Sequence, residues 1–292
     1  MNVIVIGGGA AGFFAALSCK QHHPECSVTI LEKSDKLLAK VKVSGGGRCN
    51  VTHACFENAQ LAKFYPRGGK QLKKAFFQFN ATDTIQWFES RGVKLKREND
   101  NRVFPVSDNS QTIIDCLLRE TVKLGVNIQK QNSISCISKS GNEFILTAAG
   151  KAICAHKIII ASGGSPKIEG FDWLKQLGHT IIPPVPSLFT FNMPSEPKKK
   201  LMVVVANSVS IKIKGTTLMS EGPLLITHWG MSGPAVLKLS SWGARELHTM
   251  HYKFETLINW LGDKNEQQIR NRLDTEIQNI GKRQIRNKNP FQ

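Results

Sequence analysis

No apolar stretch of the 292 residues approaches the length that crosses a bilayer, and the amino terminus lacks both the basic start and the long apolar core of a secretion signal. The expectation is therefore a cytoplasmic protein with no membrane partner. Also missing is any C-x-x-C pair: Cys19, Cys26, Cys49, Cys55, Cys116, Cys136 and Cys154 are scattered and odd in number. That pattern argues against a disulfide framework and against electron relay through a close cysteine pair, and it predicts reduced thiols. No compact Cys/His cluster is present, so no metal site is expected. Internal repeats, low-complexity tracts and a recognised RNA-binding signature are absent as well.

Acidic residues are scarce. There are 22 Asp and Glu against 39 Lys and Arg, a net charge of +17, and the excess is localised. Between Lys36 and Arg97 stand thirteen basic residues against Glu57, Asp83 and Glu89. This basic 36–97 patch reads first as a solvated face, because Lys73 and Lys74 fall away from the apolar stripe of their helix. The alternatives are attraction of anionic cofactors or substrates, and contact with nucleic acid. An apolar content of 41% is enough to bury a core in one large domain or two ordinary ones.

The chain opens on an apolar run, Val3 to Ile6, that breaks into glycines and continues as a helical segment. Gly7, Gly9 and Gly12 stand in G-x-G-x-x-G register, and each position answers a separate demand. Gly7 allows a tight strand-to-helix turn, Gly9 lets an anionic pyrophosphate approach the backbone N–H groups at the helix start, and Gly12 keeps the helix close to its strand. A second strand, Val28 to Leu31, ends on Glu32, twenty residues after Gly12, where an acid can meet a ribose hydroxyl. The spacing suits NAD or FAD alike; the bland alternative is an ordinary βαβ turn without a ligand.

Ser44-Gly45-Gly46-Gly47-Arg48-Cys49-Asn50 follows. Consecutive glycines between polar residues suit backbone that approaches a ligand, with Arg48 adding charge, and otherwise form a flexible surface turn. Helical spacing of Leu72, Ala75, Phe76 and Phe79, and of Ile85, Trp87 and Phe88 after an Asn80 cap, predicts two helices with aromatics in the core. Ser107-Asp108 is expected to cap a third helix with Ile113, Ile114, Leu117, Leu118 and Val122 on one side, stopped by Gly125. Short alternating segments from about 126 to 156 predict a small β-meander, followed by a strand that exits into Ala161-Ser162-Gly163-Gly164. A short helix fits Gly170 to Gly178, and Pro183, Pro184 and Pro186 mark a domain boundary. Beyond it, Leu188 to Asn192, Met202 to Val205 and Val209 to Ile213 read as strands.

Four blocks together resemble the HI0933-like flavoproteins, also known as aminoacetone-oxidase-like FAD-binding enzymes. They are Val5 to Gly12 with Glu32-Lys33, Ser44 to Thr52, Arg102 to Ser107, and Thr227-His228-Trp229-Gly230-Met231-Ser232-Gly233-Pro234. The resemblance implies an α/β fold of the two-dinucleotide-binding flavoprotein type. A Rossmann-like doubly wound FAD-binding domain (1–186) would carry an inserted β-rich plus helical domain (187–292). It implies FAD contacts from Gly7, Gly9, Ala10, Ala11, Gly12, Glu32, Lys33, Ser44, Gly45, Gly46, Arg48, Cys49, Asn50, Ile134, Ala161, Gly163 and Gly164. Within that set the glycines would hold the pyrophosphate, Glu32 the ribose and the backbone near Ile134 the adenine. Family members continue to a final F-x-G-E-x-x-D and G-G-Y-N segment that closes over the cofactor. This sequence ends at Pro290-Phe291-Gln292 without it, so the expectation is a shortened chain lacking one wall of the FAD site.

The activity implied is hydride transfer between FAD and a small-molecule substrate, either oxidation of small amines or reduction of conjugated double bonds. With one G-x-G-x-x-G in the chain, NAD(P)H would dock transiently as electron donor. His228 and Ser232 are the catalytic candidates for handling substrate or proton; for His228 the other reading is a structural histidine. Cys49 reads as a small packing residue rather than a flavin-reactive thiol. The competing functions are an RNA-associated flavoprotein that uses the 36–97 patch, and a non-catalytic FAD-binding remnant.

Overall fold

Val3, Ile4, Val5 and Ile6 are β-branched residues of the kind that fill a strand covered on both faces. In the computed structural model, which describes residues 1–194, 201–262 and 264–280, they form β1 (Asn2–Ile6). Val3 and Val5 point to one side, where they meet Phe13, Leu17, Ile113 and Leu117 of two helices. Ile4 and Ile6 point to the other, where Ile137, Leu146, Ala148 and Ala155 cover them. The period of two along the strand thus divides its side chains between two separate cores.

β1 pairs in parallel with β2 (Ser27–Leu31) on one side and with strand Lys157–Ile160 on the other, and strand Asn127–Gln129 adds to the far edge of β2. Helix α1 (Ala10–His22) makes the first crossover, with Phe13, Ala16 and Leu17 buried. The chain leaves β1 in one direction and returns on its opposite flank, so a topological switch point lies at the carboxyl ends of β1 and Lys157–Ile160. In open parallel sheets that crevice is where ligands bind. This is a Rossmann-type domain, accompanied by two small antiparallel sheets: Thr52–His53 with Arg102–Pro105 and Leu95–Arg97, and Ile134–Ser140 with Glu143–Ala148 and Lys151–Ala155.

By compactness the chain divides into Met1–Pro184 and Val185–Gln292. The second unit holds a five-stranded antiparallel sheet ordered Phe191–Asn192, Gly230–Ser232, Met219–Ile226, Val205–Ile213, Thr256–Asn259. Ala235, Val236 and Leu239 of helix Pro234–Trp242 pack on Ile211, Ile213, Leu224 and Met231 of that sheet. A further helix spans Glu266–Ile280. The expectation about the chain's end, at Pro290 to Gln292, lies outside the described residues.

Several local expectations are corrected. Val126 to Ile128 does not start the meander: Asn127–Gln129 belongs to the parallel sheet, and the antiparallel sheet begins at Ile134. Asp108 does not cap the third helix (Ser110–Lys123). Asn109 does, accepting from the Gln111 N–H at 2.9 Å, while Asp108 stands in left-handed backbone with its carboxylate turned to Lys96 and Arg48. Val122 is 82% exposed, being in the last turn of that helix. Helix Gly69–Phe76 buries none of its residues, and Phe79 beyond it is exposed. Met202 to Val204 precede the strand that starts at Val205.

The Asn80 cap is present in full. Its side-chain oxygen accepts from the Thr82 and Asp83 N–H groups, and the Asp83 carboxylate accepts from the Asn80 N–H at 2.8 Å. Asn80→Ala is expected to lower unfolding free energy by about 1 kcal/mol in chemical denaturation, since a cap substitution typically costs about 0.5–2 kcal/mol. An unchanged midpoint would show that the capping box contributes nothing to this domain.

Candidate functional site

The loop from Gly7 to Gly12 joins β1 to α1, and its glycines differ in what constrains them. A side chain on Gly7, which has φ +113°, would overlap the Ala161 carbonyl of the neighbouring strand. One on Gly12 would overlap the carbonyl oxygen of Gly7. Both positions are fixed by the fold. Gly9 is different: its backbone is extended, as any residue adopts, and a Cβ there would meet no protein atom within 4 Å. Nothing in the chain itself demands glycine at this position. It lies at the N-cap of α1, where unpaired N–H groups and the helix dipole favour an anion, so the loop fits a pyrophosphate.

Beside the loop, at the switch point, is a cavity of about 300 Å³. Its walls include Ile6 and Gly7 after β1, Leu31, Glu32 and Lys33 after β2, Ser133 and Ile134, Ser162 to Pro166, and Phe171 with Trp173. This volume is at the small end of ligand pockets and suits part of a dinucleotide, such as a nucleoside, better than the whole. Glu32 accepts from the Gly8 N–H at 2.7 Å and from the Ser34 N–H and hydroxyl at 2.9 and 2.8 Å. Burial opposes its ionisation, but the Ser34 and Gly8 hydrogen bonds outweigh that and hold its carboxyl below the ordinary value. An ionised carboxylate accepts about four hydrogen bonds, which leaves capacity for a ribose hydroxyl.

The chain then loops back over the glycine turn, with the Leu38 N–H donating to the Gly8 carbonyl at 2.8 Å, and runs through helix Ala39–Val43 into Ser44–Gly47. Gly45 takes φ +56°, and a Cβ there would come within 2.9 Å of both the Asn50 nitrogen and the Phe104 ring. The loop is therefore moulded onto strand Arg102–Pro105. Arg48 lies over the Phe104 ring, 4.0 Å from its centroid, and donates to Glu98 at 2.6 Å, with Asp108 at 3.5 Å. Its guanidinium is committed to these carboxylates, so its evident part is to hold the loop in place. The Asn50 amide lies beside the Thr52 and Val103 carbonyls, so hydrogen bonding requires that its nitrogen, rather than its oxygen, be turned toward them. Cys49 is buried, and burial raises its thiol pKa, as fits a packing residue rather than a nucleophile.

Of the residues singled out in the sequence, the cavity brings together Gly7, Glu32, Lys33, Ile134, Gly163 and Gly164. Ala161 stands behind Gly7, its N–H bonded to the Ile6 carbonyl, and Gly9, Ala10, Ala11 and Gly12 form the adjoining helix start. Ser44 to Asn50 are not in this cavity wall. Ser133, Ser165, Phe171 and Trp173 were missed; the aromatic pair shortly after the second strand-to-glycine exit is the signal that could have pointed to them.

His228 and Ser232 belong to the second unit. His228 and Trp229 form an exposed turn closed by the Thr227 N–H on the Gly230 carbonyl at 2.8 Å, and their rings are 4.1 Å apart. A side chain on Gly230 would overlap the Phe191 carbonyl, and one on Gly233 would come within 2.8 Å of the Pro223 carbonyl. The fold accounts for both glycines of this motif but for neither exposed ring. Among the described residues no cluster of His, Cys, Asp and Glu could hold a metal ion, and no helix is long and apolar enough to cross a membrane.

The HI0933-like protein Rossmann domain matches residues 1–257. A 3-dehydro-bile acid delta(4,6)-reductase of Clostridium scindens is 26% identical over 95% of this chain and 69% of its own length. Ribosomal RNA dihydrouridine synthases of Escherichia coli and Haemophilus influenzae are 30% and 27% identical, each over 82% of this chain and over 60% and 61% of their own. The chain thus spans roughly three fifths to two thirds of the length of these relatives.

Gly9→Asp should separate the fold from the ligand. Aspartate is a good N-cap and its charge complements the helix start, so the melting temperature of the free protein should hold or rise, while FAD titration should show at least a tenfold loss of affinity. Gly12→Ala should instead lower the melting temperature. If Gly9→Asp binds FAD normally, the loop is not a pyrophosphate site. Glu32 makes a second prediction. Its depressed pKa gives stability that is present above the ordinary carboxylate value of about 4.3 and is lost as pH falls through the lower folded value. The stability gap between wild type and Glu32→Gln should therefore be constant near neutrality and close below about pH 4; a gap that widens in acid would contradict this.

Proposed function

The chain belongs to the HI0933-like family, and from that premise we propose that it binds FAD and reduces a carbon–carbon double bond conjugated to a carbonyl, with NAD(P)H as transient electron donor. The observation that carries the cofactor assignment is Gly9, whose lack of a side chain is explained by no contact within the protein. The reaction class is supported by the names of the relatives. A 3-dehydro steroid unsaturated at positions 4 and 6, and a uracil ring reduced to dihydrouracil, share an alkene made electrophilic by a neighbouring carbonyl. Bound FAD would supply the hydride for such a carbon.

The residues of the chain would hold that cofactor and complete the proton balance. Gly7, Gly9, Ala10, Ala11 and Gly12 would present the start of α1 to the pyrophosphate, and Glu32 would accept from the ribose. Lys33, Ile134, Ala161, Gly163 and Gly164 would enclose the adenosine end. The backbone of Ser44, Gly45 and Gly46 would lie along the remainder, kept in shape by Arg48, Cys49 and Asn50. Saturating the alkene takes one proton besides the hydride, and His228 and Ser232 are the proposed carriers.

Protein incubated with FAD and then desalted is expected to retain the visible flavin absorbance and, without oxygen, to oxidise NADH or NADPH only when a cyclic enone or a uridine oligonucleotide is present. Failure to retain flavin would sink the whole assignment. Retained flavin with no turnover of either acceptor would sink the reduction alone.

A further inference from the structure

Segment 56–79 forms no part of the cavity described above, yet it concentrates two features that globular surfaces rarely combine. Its large exposed apolar side chains are all aromatic: Phe56, Phe64, Tyr65, Phe77 and Phe79, with Phe77 74% and Phe64 61% exposed. Helices Asn58–Lys63 and Gly69–Phe76 pack so closely that a side chain on Gly69 would overlap the Ala62 carbonyl, but between them they bury only Leu61. The aromatics left outside are not the residue of a poorly filled core; they stand on a pair of helices that is already packed.

The same segment has Lys63, Arg67, Lys70, Lys73 and Lys74 against a single acid, Glu57. Lys63, Lys70 and Lys73 line an open groove together with Tyr65. Among the described residues, none of Lys63, Lys70, Lys73 and Lys74 is engaged in an ion pair, whereas Arg48, Arg91, Lys96 and Arg102 are each matched to carboxylates. The four lysines of this segment are thus free of ion pairs among the described residues and interleaved with π faces.

We propose that residues 56–79 are a docking surface for single-stranded RNA. Unpaired ammonium groups neutralise phosphates, and exposed rings stack on bases of any sequence, a combination that tracks a single strand and needs no base-specific contact. A duplex hides its base faces and would use only the lysines. An anionic membrane surface also meets lysines and aromatic rings, so phosphatidylserine vesicles are the competing ligand that the test includes. Contact through RNA deepens the reductase reading by naming a polymer as the carrier of the reducible ring, and to that extent it rests on that reading; the surface itself stands on exposure and charge.

The test is fluorescence anisotropy of a labelled, uridine-containing oligoribonucleotide of roughly 12 nucleotides, single-stranded or annealed to its complement. The single strand should bind more tightly than the duplex. Phe64→Ala with Phe77→Ala should weaken the single strand by about tenfold or more, leaving its salt dependence unchanged. Lys73→Gln with Lys74→Gln should reduce the slope of log affinity against log salt by about 1.4, because each phosphate contact contributes about 0.7 for single strands. Melting temperatures check that both variants fold, and the salt slope still decides should the aromatic pair be unstable. Equal binding of duplex, an unaltered affinity in the aromatic variant, or capture by phosphatidylserine vesicles without RNA binding would each overturn the proposal. Flavin retention measured on the same samples separates the two readings: RNA binding without flavin removes the reductase and keeps the surface, and flavin without RNA binding does the reverse.

Discussion

The close approach of three backbone segments at Gly7 is the constraint on which the first unit depends. The carbonyl of Ala161 stands where a Gly7 side chain would be, and the carbonyl of Gly7 stands where a Gly12 side chain would be. The exits of two parallel strands and the start of α1 are therefore stacked with no side chain between them. Because β1 is flanked by parallel strands on both sides and covered on both faces, it cannot shift to relieve a clash. A residue larger than glycine at either position would push the strand ends apart, and the crevice at the switch point with them. At the N-cap of α1, by contrast, a side chain on Gly9 would meet no protein atom within 4 Å, and no side chain caps the helix.

Glu32 extends this arrangement by one layer. Its carboxylate ties the Gly8 N–H to the Ser34 turn, and the Leu38 N–H returns to the Gly8 carbonyl, so both polar groups of Gly8 are held by the segment that follows β2. A residue proposed to read a ribose is in this way also a brace for the loop that faces the pyrophosphate. The Ser44–Asn50 loop is braced differently, through Arg48 on Phe104 and on the Glu98 and Asp108 carboxylates. Solvent screens ion pairs of this kind, so the network fixes loop shape more than it stabilises the domain.

What was legible in the sequence follows from how local each signal is. β1, β2, α1 and the Asn80 cap could be read because apolar period, glycine register and capping chemistry all act within a few residues. Asn127–Gln129 was assigned to the wrong sheet because three residues carry no information about their partner strand. Ser107, Asp108 and Asn109 are equally plausible caps on side-chain chemistry; the choice of Asn109 is made by the left-handed backbone of Asp108 and by Lys96 and Arg48, which are remote in sequence. Within the site, Gly7, Glu32 and Gly163 were legible since their positions follow from strand ends. Phe171 and Trp173 were not: Trp173 stands on the short helix Asp172–Gln176 and Phe171 immediately before it, and five residues carry too little periodicity to show which side meets the cavity.

The aromatics of 72–79 carry that argument furthest. Helical spacing placed Phe76 and Phe79 in a core, and spacing does specify one side of a helix, but it cannot specify what that side meets. Around Phe14, Trp87 and Phe88 the apolar side meets other rings and closes: Phe88 is buried, and Phe79 reaches it only at the edge, 6.1 Å from the Phe14 ring. On helix Gly69–Phe76 the corresponding side is only half covered: Phe76 meets the Tyr65 ring at 5.6 Å, and Phe77 just beyond the helix is left 74% exposed. A sequence under selection only for folding would replace exposed Phe77 at little cost and Phe64 at the loss of one edge contact with the His53 ring, since polar residues there would leave no cavity behind. Their presence beside unpaired lysines is therefore better explained by contact outside the chain than by packing within it, as with the empty space in front of Gly9. In both places the feature to be explained is one that the contacts of the protein with itself do not require.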